Sequence, residues 1–130
     1  MTLGGFLFSR LWTITATAIG LSCLLLVAPI AQEPGQNSFP TGSFDAGSLT
    51  LTFNANGTHT LADRGNIVVN GTYVVQGDQI TLTDKSGDFA CDEVGKYQWT
   101  YDGKALRFKA LLDDCGGRAD GLTQQPWVRK

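Results

Sequence analysis

The chain has 130 residues, enough for one domain of ordinary size, and a formal net charge of −2. Binding to nucleic-acid phosphates needs a basic stripe, and none is present, so a nucleic-acid partner is excluded. The charge is unevenly spread: Arg10 is the only charged residue before Gln32, and the remaining nine Lys/Arg and twelve Asp/Glu all follow it.

Leu11 to Ala31 is an uncharged run of 21 residues. As a helix it would span about 31 Å, close to a hydrocarbon core of about 30 Å, whereas a signal-peptide apolar region runs to only about 7–15 residues. Cleavage after Ala31 would place Pro29 where a small residue is wanted, and cleavage after Ala28 would place Pro29 directly behind the cut. Cys23 is a poor lipidation site, because Leu24–Val27 continues apolar beyond it. Residues 1–31 are therefore expected to stay as a transmembrane anchor in contact with the bilayer through residues 11–31. A cleaved signal segment and a secreted product is the alternative. Arg10 on the inner side and Glu33 as the first charge beyond the run place the N-terminus in the cytoplasm and the rest in the periplasm or outside the cell. Ala16 and Gly20, four residues apart, are the candidate positions for close packing of a second helix.

Residues 32–47, "QEPGQNSFPTGSFDAG", read as a linker. From 48 to 130, short alternating runs are separated by glycine-marked turns at Gly57, Gly65, Gly77, Gly87 and Gly103. "SLTLTF" alternates Leu49, Leu51 and Phe53, and "THTLAD" follows as a second strand. "IVVNGTYVV" places Ile67, Val69, Tyr73 and Val75 on one face, with Gly71 as a bend or bulge. "ITLTD" points Ile80 and Leu82 inward, "KYQWTY" aligns Tyr97, Trp99 and Tyr101, and "ALRFKALL" sets Leu106, Phe108 and Ala110 opposite Arg107 and Lys109. Asp102-Gly103 is a hairpin signal between the last two. Asp113 to Gln125 holds a short helix or a turn, and "PWVRK" closes the sheet. About seven strands in sequential hairpins predict an all-β, antiparallel up-and-down meander closed as a small barrel, behind one N-terminal membrane helix.

With Cys23 in the apolar run, Cys91 and Cys115 form an even pair in an oxidising compartment. A tight turn at Asp102-Gly103 brings them within one residue of direct opposition, so a disulfide is expected. A metal site using Asp92, Glu93, Asp113 and Asp114 is the weaker alternative, since neither a His nor a second Cys pair accompanies them.

The stretches "GSF" at 42–44, "LTFNANGTHTL", "GTYVVQGDQITLTD", "GKYQW", "DGKALRF" and "DDCGGR" occur in an order that resembles lipocalin-like small β-barrels of extracytoplasmic bacterial proteins. The resemblance covers about Gly42 to Trp127. It implies that Phe44 stands where lipocalins carry a floor tryptophan, with Arg118 or Arg129 as the late basic residue above it. The chain departs from the pattern in lacking that tryptophan, and the family's functions are diverse.

No catalytic constellation is legible. His59, the only histidine, reads as an exposed strand residue, and Asp113-Asp114 as solvated turn residues or a helix cap. Asn56-Gly57 and Asn70-Gly71 read first as turn markers. No nucleotide, dinucleotide or metalloprotease motif is present, so no cofactor or metal is implied and an enzyme is not expected. The aromatic stripe Tyr97, Trp99 and Tyr101 is core when inward, and a docking patch or pocket wall if part of it is exposed. The expected function is that of an accessory subunit docked on a larger integral membrane complex, such as a photosynthetic or respiratory one. A secreted carrier of a small apolar ligand is the alternative.

Overall fold

The computed structural model describes residues 38–130. The expected membrane helix, with Ala16 and Gly20, lies outside the described residues. Among the described residues, no helix is long and apolar enough to cross a membrane.

Eight antiparallel strands close into a barrel: β1 (Gly42–Ala46), β2 (Leu49–Phe53), β3 (Thr58–Asp63), β4 (Asn66–Gln76), β5 (Gln79–Ser86), β6 (Gly95–Tyr101), β7 (Ala105–Leu112) and β8 (Trp127–Arg129). One helix, α1 (Gly116–Thr123), is inserted between β7 and β8. Each strand pairs with its sequence neighbours, and β8 returns to β1 through Phe44↔Arg129 and Asp45↔Val128. Closure leaves no free sheet edge.

The strand count exceeds the expected seven because β1 falls inside the stretch read as linker. Its inward residues are Phe44 and Ala46, and a single alanine carries too little apolar contrast to mark a strand. The Gly47-Ser48 turn then folds β1 onto β2, pairing Ala46 with Leu49.

Up-and-down winding sorts the loops onto two ends of the barrel. The interior near one end is filled by aromatic rings. Phe39 meets Phe53 and Trp99 edge-on, with ring centroids 4.9 and 5.2 Å apart, and Phe53 stands 5.1 Å from Tyr73. Such edge-to-face contacts add to area burial. The Trp99 indole N–H is satisfied by Gly77 O at 3.1 Å, and the Tyr73 hydroxyl by Asn54 O at 2.6 Å. The other end carries α1 and the loop from Gly87 to Val94, and there the interior is open.

Local irregularities correct three expectations. The β3–β4 register shifts between Leu61 and Ala62, leaving Val68 as an extra residue. Ile67, expected inside, is consequently 53% exposed, while Val68 and Val69 are buried. A second shift, between Lys96 and Tyr97, disturbs the far end of β7, where Ala110, Leu111 and Leu112 are all exposed. The β6–β7 turn is centred on Gly103-Lys104 rather than Asp102-Gly103. Asp102 N–H pairs with Ala105 O, and the Asp102 carboxylate accepts from the N–H groups of Lys104 and Ala105 at 2.9 and 2.8 Å. Gly103, at φ 95°, supplies the left-handed residue at the first central position. Those backbone donors hold the Asp102 carboxyl below the usual carboxylate range.

Candidate functional site

The open end of the barrel holds a cavity of about 400 Å³. Leu49, Leu51, Leu61, Val69, Leu82 and Trp127 supply an apolar wall, and Leu122 of α1 closes over it. Three polar side chains also line the cavity: His59, Asp84 and Arg118.

These three come from separate elements, brought together by strand register. His59 of β3 lies opposite Gly71 of β4, and Gly71 lies opposite Asp84 of β5. Gly71 faces inward, where a Cβ would collide with the His59 ring and with Thr83 O. Its missing side chain therefore lets the imidazole lie across β4 and approach the carboxylate. His59 Nε2 stands 3.3 Å from Asp84 Oδ1, close but out of line for a hydrogen bond. His59 Nδ1 and Asp84 Oδ1 are buried without a hydrogen-bond partner among the described residues.

Arg118, from the first turns of α1, joins two carboxylates. Its Nη1 donates to Asp84 Oδ2 at 3.0 Å, and its Nε and Nη2 donate to Asp113 at 2.7 and 2.8 Å. Nη2 also donates to Glu93 O at 2.6 Å, tying the Gly87–Val94 loop to the helix. The Cys91 N–H donates to Asp84 and the Cys115 N–H to Asp113, at 3.0 and 2.9 Å. The Tyr97 hydroxyl donates to Asp113. Gly95 lies beneath this cluster, where a Cβ would crowd Asp113, Tyr97 and Arg118. All three charged side chains are nearly inaccessible to solvent.

Burial pushes the Asp84 carboxyl up, but His59, the Cys91 N–H and Arg118 outweigh it and hold the group below the usual carboxylate range. The same balance operates at Asp113, where burial opposes Arg118, Tyr97 and the Cys115 N–H, and the net shift is again downward. Burial first, and then Asp113, raise the Tyr97 phenol well above its ordinary value. The Arg118 guanidinium is raised by its bond to Asp113, which exceeds the opposing cost of burial. Both Asp groups are more acidic folded than unfolded, where an Asp titrates near 3.9. Their contribution to stability is therefore complete above that value and lost as pH falls through the lower folded values. These two carboxylates should pull the urea midpoint down only below about pH 4. Asp84→Asn should flatten this drop, and an acid drop of undiminished size in that variant would contradict the assignment.

The structure places the remaining sequence candidates as follows. Cys91 and Cys115 stand at disulfide distance, Cα–Cα 6.2 Å, with Cys91 in the Gly87–Val94 loop and Cys115 at the N-terminus of α1. Their proximity comes from loop and helix, since the β6–β7 ladder ends at Lys96↔Leu112. His59, expected at the surface, is only 3% exposed, because it shares the inward alternation of Leu61. Asp113 is likewise a buried ion-pair partner rather than a solvated turn residue, while Asp114 is exposed. α1 has no side-chain cap bond. Tyr97 and Trp99 are buried in the barrel interior and so present no outer patch; neither lines the cavity. Tyr101 is half-buried, donating to Gly103 O and accepting from Arg129. The Arg129 guanidinium packs over the Phe44 ring at 4.9 Å and over Tyr101 at 5.4 Å, whereas Arg118 belongs to the buried network. Asn56 accepts from the Thr58 N–H and hydroxyl within its turn. Among the described residues, no group of three or more His, Cys, Asp or Glu side chains is placed to hold a metal ion.

Sequence reasoning missed Asp84, the role of Arg118 as a bridge, and the cavity. One signal was available: Ile80, Leu82 and Asp84 share one alternation, as do His59 and Leu61, so an acid and a base both fall on the inner face. A comparison of the chain with protein-family models, curated proteins and solved structures returned no significant match.

Proposed function

We propose that the protein is a non-enzymatic, extracytoplasmic binding module whose barrel holds a small apolar molecule. The observation that carries this reading is the cavity of about 400 Å³, walled by leucines, Val69 and Trp127 and bearing a few polar groups on one side. Small-molecule sites commonly have that volume and that mixture. The reading agrees with the lipocalin-like pattern in the sequence, and the basic side chain over Phe44 supports it: Arg129 stacks there at 4.9 Å. Residues 11–31 would tether the barrel to the bilayer from which an apolar ligand is drawn.

The test uses the full chain in lipid nanodiscs, titrated with the neutral apolar dye N-phenyl-1-naphthylamine. Saturable binding at one dye per chain is expected. Leu61→Trp, which fills the cavity from β3, should weaken binding at least about tenfold while the circular dichroism stays unchanged. Dye uptake no greater than that of empty nanodiscs would overturn the reading.

A second reading, docking on a larger integral membrane complex, is favoured by a different observation. Phe89 and Val94, which flank Cys91, and Leu111 and Leu112, just before Cys115, are all exposed. Purification in mild detergent through a tag after Lys130 would then bring stoichiometric membrane subunits with the chain.

A further inference from the structure

We propose that the cavity selects neutral apolar molecules carrying one hydrogen-bond donor, a hydroxyl in particular, and discriminates against carboxylates of the same chain length. This rests on the reading of the barrel as a binder of apolar ligands and adds the chemistry of the ligand's head.

The wall contains two polar groups without a hydrogen bond among the described residues: His59 Nδ1, and Asp84 Oδ1, which has only the out-of-line His59 Nε2 at 3.3 Å, on side chains 4% and 2% exposed. A carboxylate oxygen can only accept. With a ring hydrogen on Nε2, the nitrogen nearest the Asp84 carboxylate, Nδ1 offers a lone pair. Both groups therefore call for a donor, and leaving a buried acceptor unmatched is costly. An arginine in an apolar cavity would ordinarily suggest a bound carboxylate. Here, however, four of the five Arg118 N–H groups are committed: Nε and Nη2 serve Asp113, Nη1 serves Asp84, and Nη2 also serves Glu93 O. One cation already faces two carboxylates, and a third anion on this wall would meet repulsion as well as desolvation. An ammonium head would have to give up its hydration to enter a cavity walled mainly by leucines. A hydroxyl satisfies an acceptor at neither cost, while Leu51, Leu61, Leu82 and Trp127 accommodate the apolar body.

The experiment compares 1-decanol, decanoate and decane as competitors of the naphthylamine dye on the full chain in nanodiscs, each corrected for partition into empty nanodiscs. 1-Decanol is expected to bind about tenfold more tightly than either of the others. His59→Phe, which keeps a flat ring beside Gly71 but removes the acceptor, should bring the ratio of 1-decanol to decane affinity close to one. Asp84→Asn is the second variant, and it should narrow the gap between 1-decanol and decanoate. Decanoate binding as tightly as 1-decanol overturns the proposal. Equal binding of all three also overturns it, but leaves the barrel as an apolar-ligand site. Failure of all three, and of the dye, to bind overturns both.

Discussion

Replacing Arg118 with Met should lower the unfolding free energy by about 3–5 kcal/mol, the usual consequence of removing one partner from a buried ion pair. The variant keeps most of the side-chain volume, so the loss is chiefly electrostatic. Asp84 and Asp113 would be left as buried carboxylates with side chains 2% and 0% exposed and no cation between them. The Nη2 bond to Glu93 O would go too, freeing the Gly87–Val94 loop from α1. Against a total stability of about 5–15 kcal/mol for a domain, such a loss is a large fraction. Urea unfolding at pH 7 measures it. Adding Asp84→Asn and Asp113→Asn to Arg118→Met should restore part of the loss, since neutral amides need no counter-charge. A single-variant loss under about 1 kcal/mol, or no recovery in the triple variant, would show that the network does not bear on stability in this way.

The second large effect belongs to Cys91 and Cys115. They are separated by 24 positions, and closing a loop of that length stabilises a fold by roughly 3–4 kcal/mol in the chain-entropy model. The pair joins the same two pieces that Arg118 joins, the Gly87–Val94 loop and the start of α1, at the open end of the barrel. The double variant Cys91→Ser/Cys115→Ser should therefore unfold at markedly lower urea, and dithiothreitol should bring the parent protein to the same midpoint. Non-reducing peptide mapping should recover the two cysteine peptides linked. Unchanged midpoints with and without reductant, or two free alkylated thiols, would refute the bridge. The effect should also reach the cavity, because both cysteines line it: reduction is expected to raise the dye's dissociation rate.

Strand positions and turns were legible because they depend on residues close in the chain. Alternation of Leu49, Leu51 and Phe53, or of Tyr97 and Trp99, needs only the two-residue period of a strand. The errors came where one extra residue changes the period. Val68 is such a residue, and its bulge turns Ile67 outward while leaving Val69, Tyr73 and Val75 in the expected phase. Whether a strand bulges depends on its partner, which local sequence does not contain. β1 went unread for a related reason, since Ala46 is inward only because β2 pairs with it.

From its sequence alone, the protein was determined to be an antiparallel meander with glycine turns, a late short helix or turn, a closing strand and one cysteine pair after the apolar run. Period, turn chemistry and composition are properties of neighbouring residues, and they suffice for that much. The site was decided by tertiary structure. His59 meets Asp84 only because Gly71 between them has no side chain, across three strands in register. Arg118 reaches Asp84 across 34 positions because α1 folds over the open end of the barrel. The cavity exists because the aromatic cluster around Phe39, Phe53, Tyr73 and Trp99 fills the interior near one end and leaves the other to leucines, Val69, Trp127 and a helix. Such contacts follow from closure and shear of the whole barrel, a global constraint that no single stretch of the chain carries.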